Sequence, residues 1–405
     1  MPHTKYHDTP VFSPNPDYDF EIRTVLGHAV EGASDLGEVL AATAGIAKHD
    51  HQAWFDAWHT LAQRTEATAK ASADSGHHVS AAGAYLRAST YYGVAVNAVS
   101  ALADSESLAP TFARQQDTWL AFIAHCSHPV ESVQIPYETS TLPGFFFRPT
   151  VQPSGTTLVV VNGSDGSLAS LWASSAAAAL RRGHNVLLFD GPGQQTQLFD
   201  HDIPFRPDWE NVLTPVYNHI TTLDGVDSKR VAVYGISQGG YWVARALAYE
   251  HRYAAAITDP GVIDVSASWT NQVPNSLVKL LDEGQTEKFD RDMSIGMELS
   301  PATARTWQFR ARPYGTPGYA ETLNTVRSYT LSEQQAALIS TPLLITDPEG
   351  EQFWPGQPQQ LADLTAGTST LVHFTAAEGA DWHCQPLARG LTAQRVFDWL
   401  DNQLD

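Results

Sequence analysis

The sequence predicts an α/β fold, a mostly parallel sheet flanked by helices, preceded by an all-helical domain. Three observations predict it. Short runs such as Leu158–Val161 and Val186–Phe189 are apolar throughout, as befits strands of a sheet covered on both faces. They alternate with stretches of helical length, the pattern of parallel βαβ units. Residues 26–128 are rich in alanine, with few prolines and glycines after Gly45, and alanine is the best helix former.

Residues 1–25 contain Pro10, Pro14 and Pro16 and no clean periodicity, so they predict an irregular N-terminal arm. In residues 26–128, Trp54, Trp58, Leu61 and Ala62 recur at helical spacing, as do Ala81, Tyr85, Ala88 and Tyr92. This is a helical domain of four or more helices. The second domain spans 129–405. Val133–Glu138 alternates like a strand, and Gly144–Pro149 reads as its hairpin partner. Further strands are predicted at Leu158–Val161, Val186–Phe189, Val231–Tyr234, Ala254–Thr258, Leu343–Thr346 and Thr370–Phe374. Helices are predicted at Leu168–Arg182, Trp209–Leu223, Gly240–His251 and, closing the chain, Leu387–Leu400. Residues 264–338 interrupt the rhythm and read as a mainly helical insertion rich in aromatic residues. Most of those aromatics read as packing. Trp269, Trp307 and Tyr314 are the candidates for an apolar substrate wall.

Composition excludes several classes. Lys and Arg number 24 against 44 Asp and Glu, a net charge of −20. A field of that sign repels phosphate backbones and anionic membranes, so neither nucleic acid nor membrane is an expected partner. With 43% apolar and 17% charged residues, the chain can bury a core, which argues against disorder. There is no transmembrane-length apolar run and no signal-like stretch in the first residues, so a cytoplasmic location is expected. Cys126 and Cys384 are the only cysteines, which excludes a disulfide scaffold and a cysteine-rich zinc site.

The strongest single motif is Gly235-Ile236-Ser237-Gln238-Gly239, after an apolar strand and at the start of a helix. A nucleophilic serine on a sharp strand-to-helix turn needs small residues two positions before and after it. Its hydroxyl needs a base, and the base an orienting acid, in the chain order serine, acid, histidine. His383 lies on the loop after the last strand and is the expected base. His373 falls inside that strand and reads as packed; His77, His78, His125 and His128 fall in or beside the helical domain without metal-ligand spacing. The acid comes from the loop after Leu343–Thr346. Glu351 is placed first because it can reach over the sheet edge, with Asp347 and Glu349 as alternatives. Cys384 reads as a packed thiol rather than a nucleophile. An oxyanion forming at Ser237 needs two backbone donors. Gln238 supplies one, and Ser164 in the glycine-bearing loop after Val161 supplies the other. Asp190-Gly191-Pro192-Gly193-Gln194 reads as a structural turn, lacking the features of a phosphate cradle.

From about residue 130 onward these residues resemble the α/β-hydrolase superfamily. A narrower resemblance is to its branch with an N-terminal helical cap. That branch contains 2,6-dihydroxypseudooxynicotine hydrolase, the fungal polyketide-shortening hydrolase of melanin biosynthesis and the fermentation-respiration switch proteins. It rests on Ala81-Ala82-Gly83-Ala84-Tyr85-Leu86-Arg87-Ala88-Ser89-Thr90-Tyr91-Tyr92, on the 190–194 turn, on Asp208-Trp209-Glu210, on Glu378-Gly379-Ala380 and on His383-Cys384-Gln385. The resemblance implies a triad of Ser237, Glu351 and His383, no cofactor and no metal. It also implies an active site between cap and second domain, and a possible homodimer. The superfamily's acid is usually aspartate, which keeps Asp347 open. Some members of the branch cleave a C–C bond next to a ketone. The expected activity is therefore hydrolysis of such a bond, or of an ester, in an aromatic or polyketide-like small molecule through an acyl-serine. Carboxylesterase, thioesterase or acyltransferase activity is the alternative, and a non-catalytic regulator is the second.

Overall fold

A computed structural model describes residues 11–404. The chain opens with five helices: α1 (Pro16–Gly27), α2 (Leu36–Thr43), α3 (His51–Asp74), α4 (His78–Ala98) and α5 (Leu108–His125). The first corrects the sequence reading, which took residues up to 25 as irregular. Pro16 sits in the first turn of α1, and the Asn15 side chain caps it by accepting from the Asp17 and Tyr18 N–H groups. Proline lacks the N–H that a first turn would leave unpaired, so it starts a helix here. Residues 1–10 of the arm lie outside the described residues. Asp19 then ties the preceding chain to the helix, accepting from the N–H groups of Val11 and Phe12 at 2.8 and 2.6 Å. The cap core joins Tyr18, Ile22, Trp54, Trp58, Tyr91 and Tyr92.

An eight-stranded sheet follows. Its strands are β1 (Val130–Tyr137), β2 (Ser140–Phe147), β3 (Thr157–Val161), β4 (Asn185–Phe189), β5 (Val231–Ile236), β6 (Ala255–Asp259), β7 (Leu343–Pro348) and β8 (Ser369–Phe374). They lie in the order β1-β2-β4-β3-β5-β6-β7-β8. β1 and β2 form an antiparallel hairpin, β2 joins β4 antiparallel, and the remaining pairs are parallel. This is the predicted α/β fold.

The helices that cross between strands cover both faces. They are α6 (Leu168–Leu171) continuing through a π-turn into α7 (Ala177–Arg181), α8 (Gln195–Phe199), α9 (Glu210–Ile220), α10 (Gly239–Leu247), α17 (Gln357–Leu364) and α18 (Arg389–Leu404). Side chains alternate along the strands. Val159, Val161, Leu187, Phe189 and Val233 pack on Trp209, the residue just before α9, and on Trp242 of α10. Leu158, Val160, Val186, Leu188 and Ala232 face α6, α7 and α18 on the other side. That second core also takes in Leu86 of α4 and Trp119 and Phe122 of α5, so cap and sheet share one apolar interior. Full burial of one such side chain contributes about 1.5–3 kcal/mol.

Between β6 and β7 lie six helices: α11 (Ala267–Thr270), α12 (Asn275–Asp282), α13 (Thr286–Glu298), α14 (Pro301–Ala311), α15 (Tyr319–Arg327) and α16 (Glu333–Ala336). Phe289, Met293 and Leu323 form their own small core. Arg305 of α14 donates to the carbonyl of Ala101, just after α4, and so links this insertion to the cap.

β8 is an edge strand, and this overturns the reading of His373 as packed. The His373 side chain is 64% exposed and pairs with Asp347 at 2.7 Å. An apolar run on an edge is covered on fewer sides than the same run mid-sheet.

Candidate active site

β5 runs straight into Ser237, whose φ of 56° lies in the left-handed region. A side chain there is strained, and the tight turn explains the flanking glycines. A Cβ on Gly235 would come within 2.2 Å of the Gly239 carbonyl oxygen. The Ser237 N–H is held by the Asp259 carbonyl at 2.6 Å, at the end of the neighbouring strand β6.

His383 arrives on the loop between β8 and α18. Its N–H donates to the Gln352 side chain at 2.9 Å. Its Nε2 lies 2.9 Å from Ser237 Oγ, and its Nδ1 lies 2.9 Å from both oxygens of Glu351. With the ring proton on Nδ1 facing the carboxylate, Nε2 is left to accept from the serine hydroxyl. Glu351 Oε1 also accepts from the N–H groups of Phe353 and Trp354, which fixes the carboxylate from behind. His383 and Glu351 are both buried. The other two candidate acids go elsewhere. Asp347 pairs with His373, and Glu349 accepts from the Ala376 N–H.

Burial alone would disfavour a charged imidazole. The neighbouring Cys384 and Glu351 side chains outweigh it and hold the His383 pKa well above its ordinary value. Burial raises the Cys384 thiol in turn, and Glu351 is the partner within hydrogen-bond distance of Nδ1. Cys384 Sγ lies 3.2 Å from the Asp259 carbonyl oxygen.

The loop after β3 passes directly over the serine. A Cβ on Gly163 would lie 2.9 Å from Ser237 Cβ. Asn162 braces the loop by donating to the Gly166 and Ser167 carbonyls. Gln194, from the turn after β4, donates to the carbonyls of Asn162 and Gly163 at 2.9 and 3.2 Å. The 190–194 turn thus holds this loop in place. Among the described residues, the N–H groups of Ser164 and Gln238 have no protein acceptor, which leaves two donors for an oxygen that gains charge.

Of the three aromatic candidates, Tyr314 reaches the residue that follows the serine. Its hydroxyl donates to Gln238 Oε1 at 3.3 Å. Trp269 stands edge-on to Tyr314 at 5.6 Å, and Trp307 edge-on to Trp269 at 5.0 Å. Sequence reasoning missed α1. Its Phe20 ring lies 6.3 Å from the His383 ring and 5.9 Å from that of Phe353. It missed Asp259 too, whose only signal was its position at a strand end level with the serine.

Elsewhere, His78 and His125 face each other through their Nδ1 atoms at 3.0 Å on the exposed cap surface, and His128 Nδ1 lies 3.1 Å from the Arg148 carbonyl oxygen. Among the described residues, no group of three or more His, Cys, Asp and Glu could hold a metal ion. Among them too, no helix is long and apolar enough to cross a membrane.

Residues 158–397 match the family model described as the alpha/beta hydrolase family. The chain belongs to that family. This alpha/beta hydrolase is 29% identical over 413 residues to "Hydrolase LUC6" of Fusarium sp, covering 96% of each chain. It is 32% identical over 286 residues to "Alpha/beta hydrolase xenA" of Xenoacremonium sinensis, covering 67% of this chain and 66% of the relative. Among solved structures, 2,6-dihydroxy-pseudo-oxynicotine hydrolase shares its fold with a TM-score of 0.71, at 19% identity, over 94% of this chain and 95% of that one. The likeness spans cap and sheet alike. The alpha/beta hydrolase is thus an enzyme, a hydrolase, and the reading as a non-catalytic regulator falls away.

Proposed function

We propose that this enzyme is a serine hydrolase in which Ser237 is the nucleophile, His383 the general base and Glu351 the orienting acid. The observation that carries the reading is the unbroken chain of 2.9 Å contacts from Ser237 Oγ through both ring nitrogens of His383 to the Glu351 carboxylate. Ser237 attacks a carbonyl carbon as His383 takes its proton. The carbonyl oxygen becomes an oxyanion held by the N–H groups of Gln238 and Ser164. The tetrahedral intermediate collapses, the leaving group departs with a proton from the imidazolium, and water then hydrolyses the acyl-serine by the same steps.

The substrate class we assign is an aromatic or polyketide-like ketone cleaved at the adjacent C–C bond. There the leaving group is a stabilised carbanion that His383 protonates. The resemblance to the cap-bearing branch supports this, as does the enclosure of Ser237 by Phe20 from the cap and Tyr314 from the insertion. The test is turnover of aryl ketones and of p-nitrophenyl esters by wild type, Ser237→Ala and His383→Ala. Ketone cleavage lost in both variants is the expected result. Ester turnover without any ketone cleavage would make the enzyme an esterase, and full turnover by Ser237→Ala would overturn nucleophilic catalysis.

A further inference from the structure

Gln195 opens α8, next to the Gln194 that holds the loop over Ser237. Its φ of 28° lies in the left-handed region, which a non-glycine residue occupies at a cost. The neighbouring chain keeps it there. Gln194 Oε1 accepts from the Gly191 N–H at 2.8 Å, and Asp190 accepts from the Thr196 N–H and Oγ at 3.3 and 2.7 Å.

The Gln195 side chain spans two domains. Its Nε2 donates to the Asp165 carbonyl at 3.3 Å, and its Oε1 accepts from Nε2 of Gln115, on α5 of the cap, at 2.9 Å. Both glutamines are buried. Asn97 of α4 reaches the same Asp165 oxygen at 3.4 Å. The cap lies close here because Gly93 of α4 faces the end of the loop: a Cβ on it would come within 3.3 Å of Ser167 Oγ. The Gly163 carbonyl and the Ser164 N–H belong to one planar peptide unit, so Gln194 on that carbonyl sets the direction of the N–H. Gln195 holds the carbonyl on the other side of Ser164.

We propose that Gln195 is a positioning residue, and that through it Gln115 of the cap aims the Ser164 N–H at the developing oxyanion. Two pinned carbonyls keep the intervening peptide unit from pivoting, where one would not. This deepens the reading above and rests on Ser237 being the nucleophile and Ser164 an oxyanion donor. The cap then does more than enclose the substrate; it sets the rate of the chemical step.

The test compares p-nitrophenyl acetate turnover, fluorophosphonate labelling and urea unfolding in wild type, Gln195→Asn, Gln115→Leu and the double variant. Asparagine tolerates the left-handed backbone but is a methylene too short to reach Asp165. Each single variant should lower kcat roughly tenfold with KM unchanged, a fraction of what a fully misplaced catalytic group costs. The double variant should lose no more than Gln195→Asn alone, because both changes break one path. Either single variant decides alone if the other fails to fold. Gln116→Ala is the control. Gln116 donates to Thr196 Oγ and Asp200 at 3.4 and 3.1 Å, so it ties the cap to the same turn by another route. Its kcat should stay within about twofold. A fall in unfolding free energy with kcat unchanged would overturn the proposal, showing that the glutamines only join the domains. So would losses that add in the double variant, or a loss confined to KM. Folded wild type that resists the fluorophosphonate removes the nucleophile and this proposal with it. Labelled wild type, with kcat unchanged in Gln195→Asn, removes this proposal alone.

Discussion

The Asp259 carbonyl oxygen receives the Ser237 N–H at 2.6 Å, so the residue that ends β6 anchors the strained serine turn. The Asp259 side chain holds the other half of the site. Its Oδ1 accepts from Gln385, two residues past His383, at 3.0 Å and from Thr346 of β7 at 2.6 Å. Its Oδ2 accepts from Tyr234 at 2.9 Å and lies 3.6 Å from Arg389. Asp259→Ala would leave these buried donors without a partner. We expect a loss of about 3–5 kcal/mol in unfolding free energy, the usual cost of breaking one side of a buried charged network. Denaturant unfolding reads it directly, and a loss below about 1 kcal/mol would show that water replaces the carboxylate.

Glu351 and Asp347 stand four residues apart, and their environments predict opposite outcomes. Glu351→Gln keeps the side chain's shape and removes the charge that stabilises the His383 imidazolium. A roughly thousand- to ten-thousand-fold drop in kcat on p-nitrophenyl acetate is expected. Asp347 pairs with an exposed histidine, and such pairs contribute about 0–1 kcal/mol. Asp347→Asn should therefore leave kcat within about twofold. The reverse ranking would move the acid to Asp347.

Much of this arrangement was legible in the sequence for identifiable reasons. The buried strands are apolar on both faces, and the serine turn needs its glycines, so both announce themselves locally. Glu351 was separable from Asp347 only by reach, since both follow the same strand. What escaped was tertiary in origin. The prolines before α1 read as an irregular arm, although Pro16 and the Asn15 cap start a helix. That hid Phe20, whose ring lies 6.3 Å from that of His383, from view. Asp259 lacked a motif because its role comes from the parallel register that sets it beside Ile236, next to the serine.

The coupling of His383 to Glu351 predicts a pH signature. The folded pKa is held well above the ordinary histidine value, so the imidazole keeps its proton to higher pH than in the unfolded chain. The stability from this pair is complete below the unfolded pKa of about 6.5 and is lost as pH rises through the folded value. The proposed mechanism needs Nε2 unprotonated, so kcat/KM should climb across that same higher range. In Glu351→Gln the carboxylate is gone while burial remains, and the limb should move down toward or below about 6.5. Titration of kcat/KM in both proteins checks this, and an unmoved limb would show that another group sets it.

Gly163 tests the serine's surroundings without replacing any residue of the proposed triad. It lies directly over Ser237. A methyl group there would meet Ser237 Cβ at 2.9 Å, the Ile236 carbonyl oxygen at 3.2 Å and Ser237 Oγ at 3.3 Å. The serine sits on a turn locked by the Asp259 carbonyl, so the loop carrying Ser164 must yield instead. Displacing that loop by a few tenths of an ångström pulls the Ser164 N–H away from the developing oxyanion. Gly163→Ala should lower kcat by on the order of a hundredfold, the scale set by misplaced catalytic groups. The loop edge can give way without opening the core, so unfolding free energy should fall by less than about 2 kcal/mol. Fluorophosphonate labelling of Ser237 should slow in parallel with kcat if its phosphoryl oxygen uses the two donors proposed for the oxyanion. A fall in stability with labelling unchanged would mean that the methyl group disturbs packing and leaves the oxyanion donors where they are.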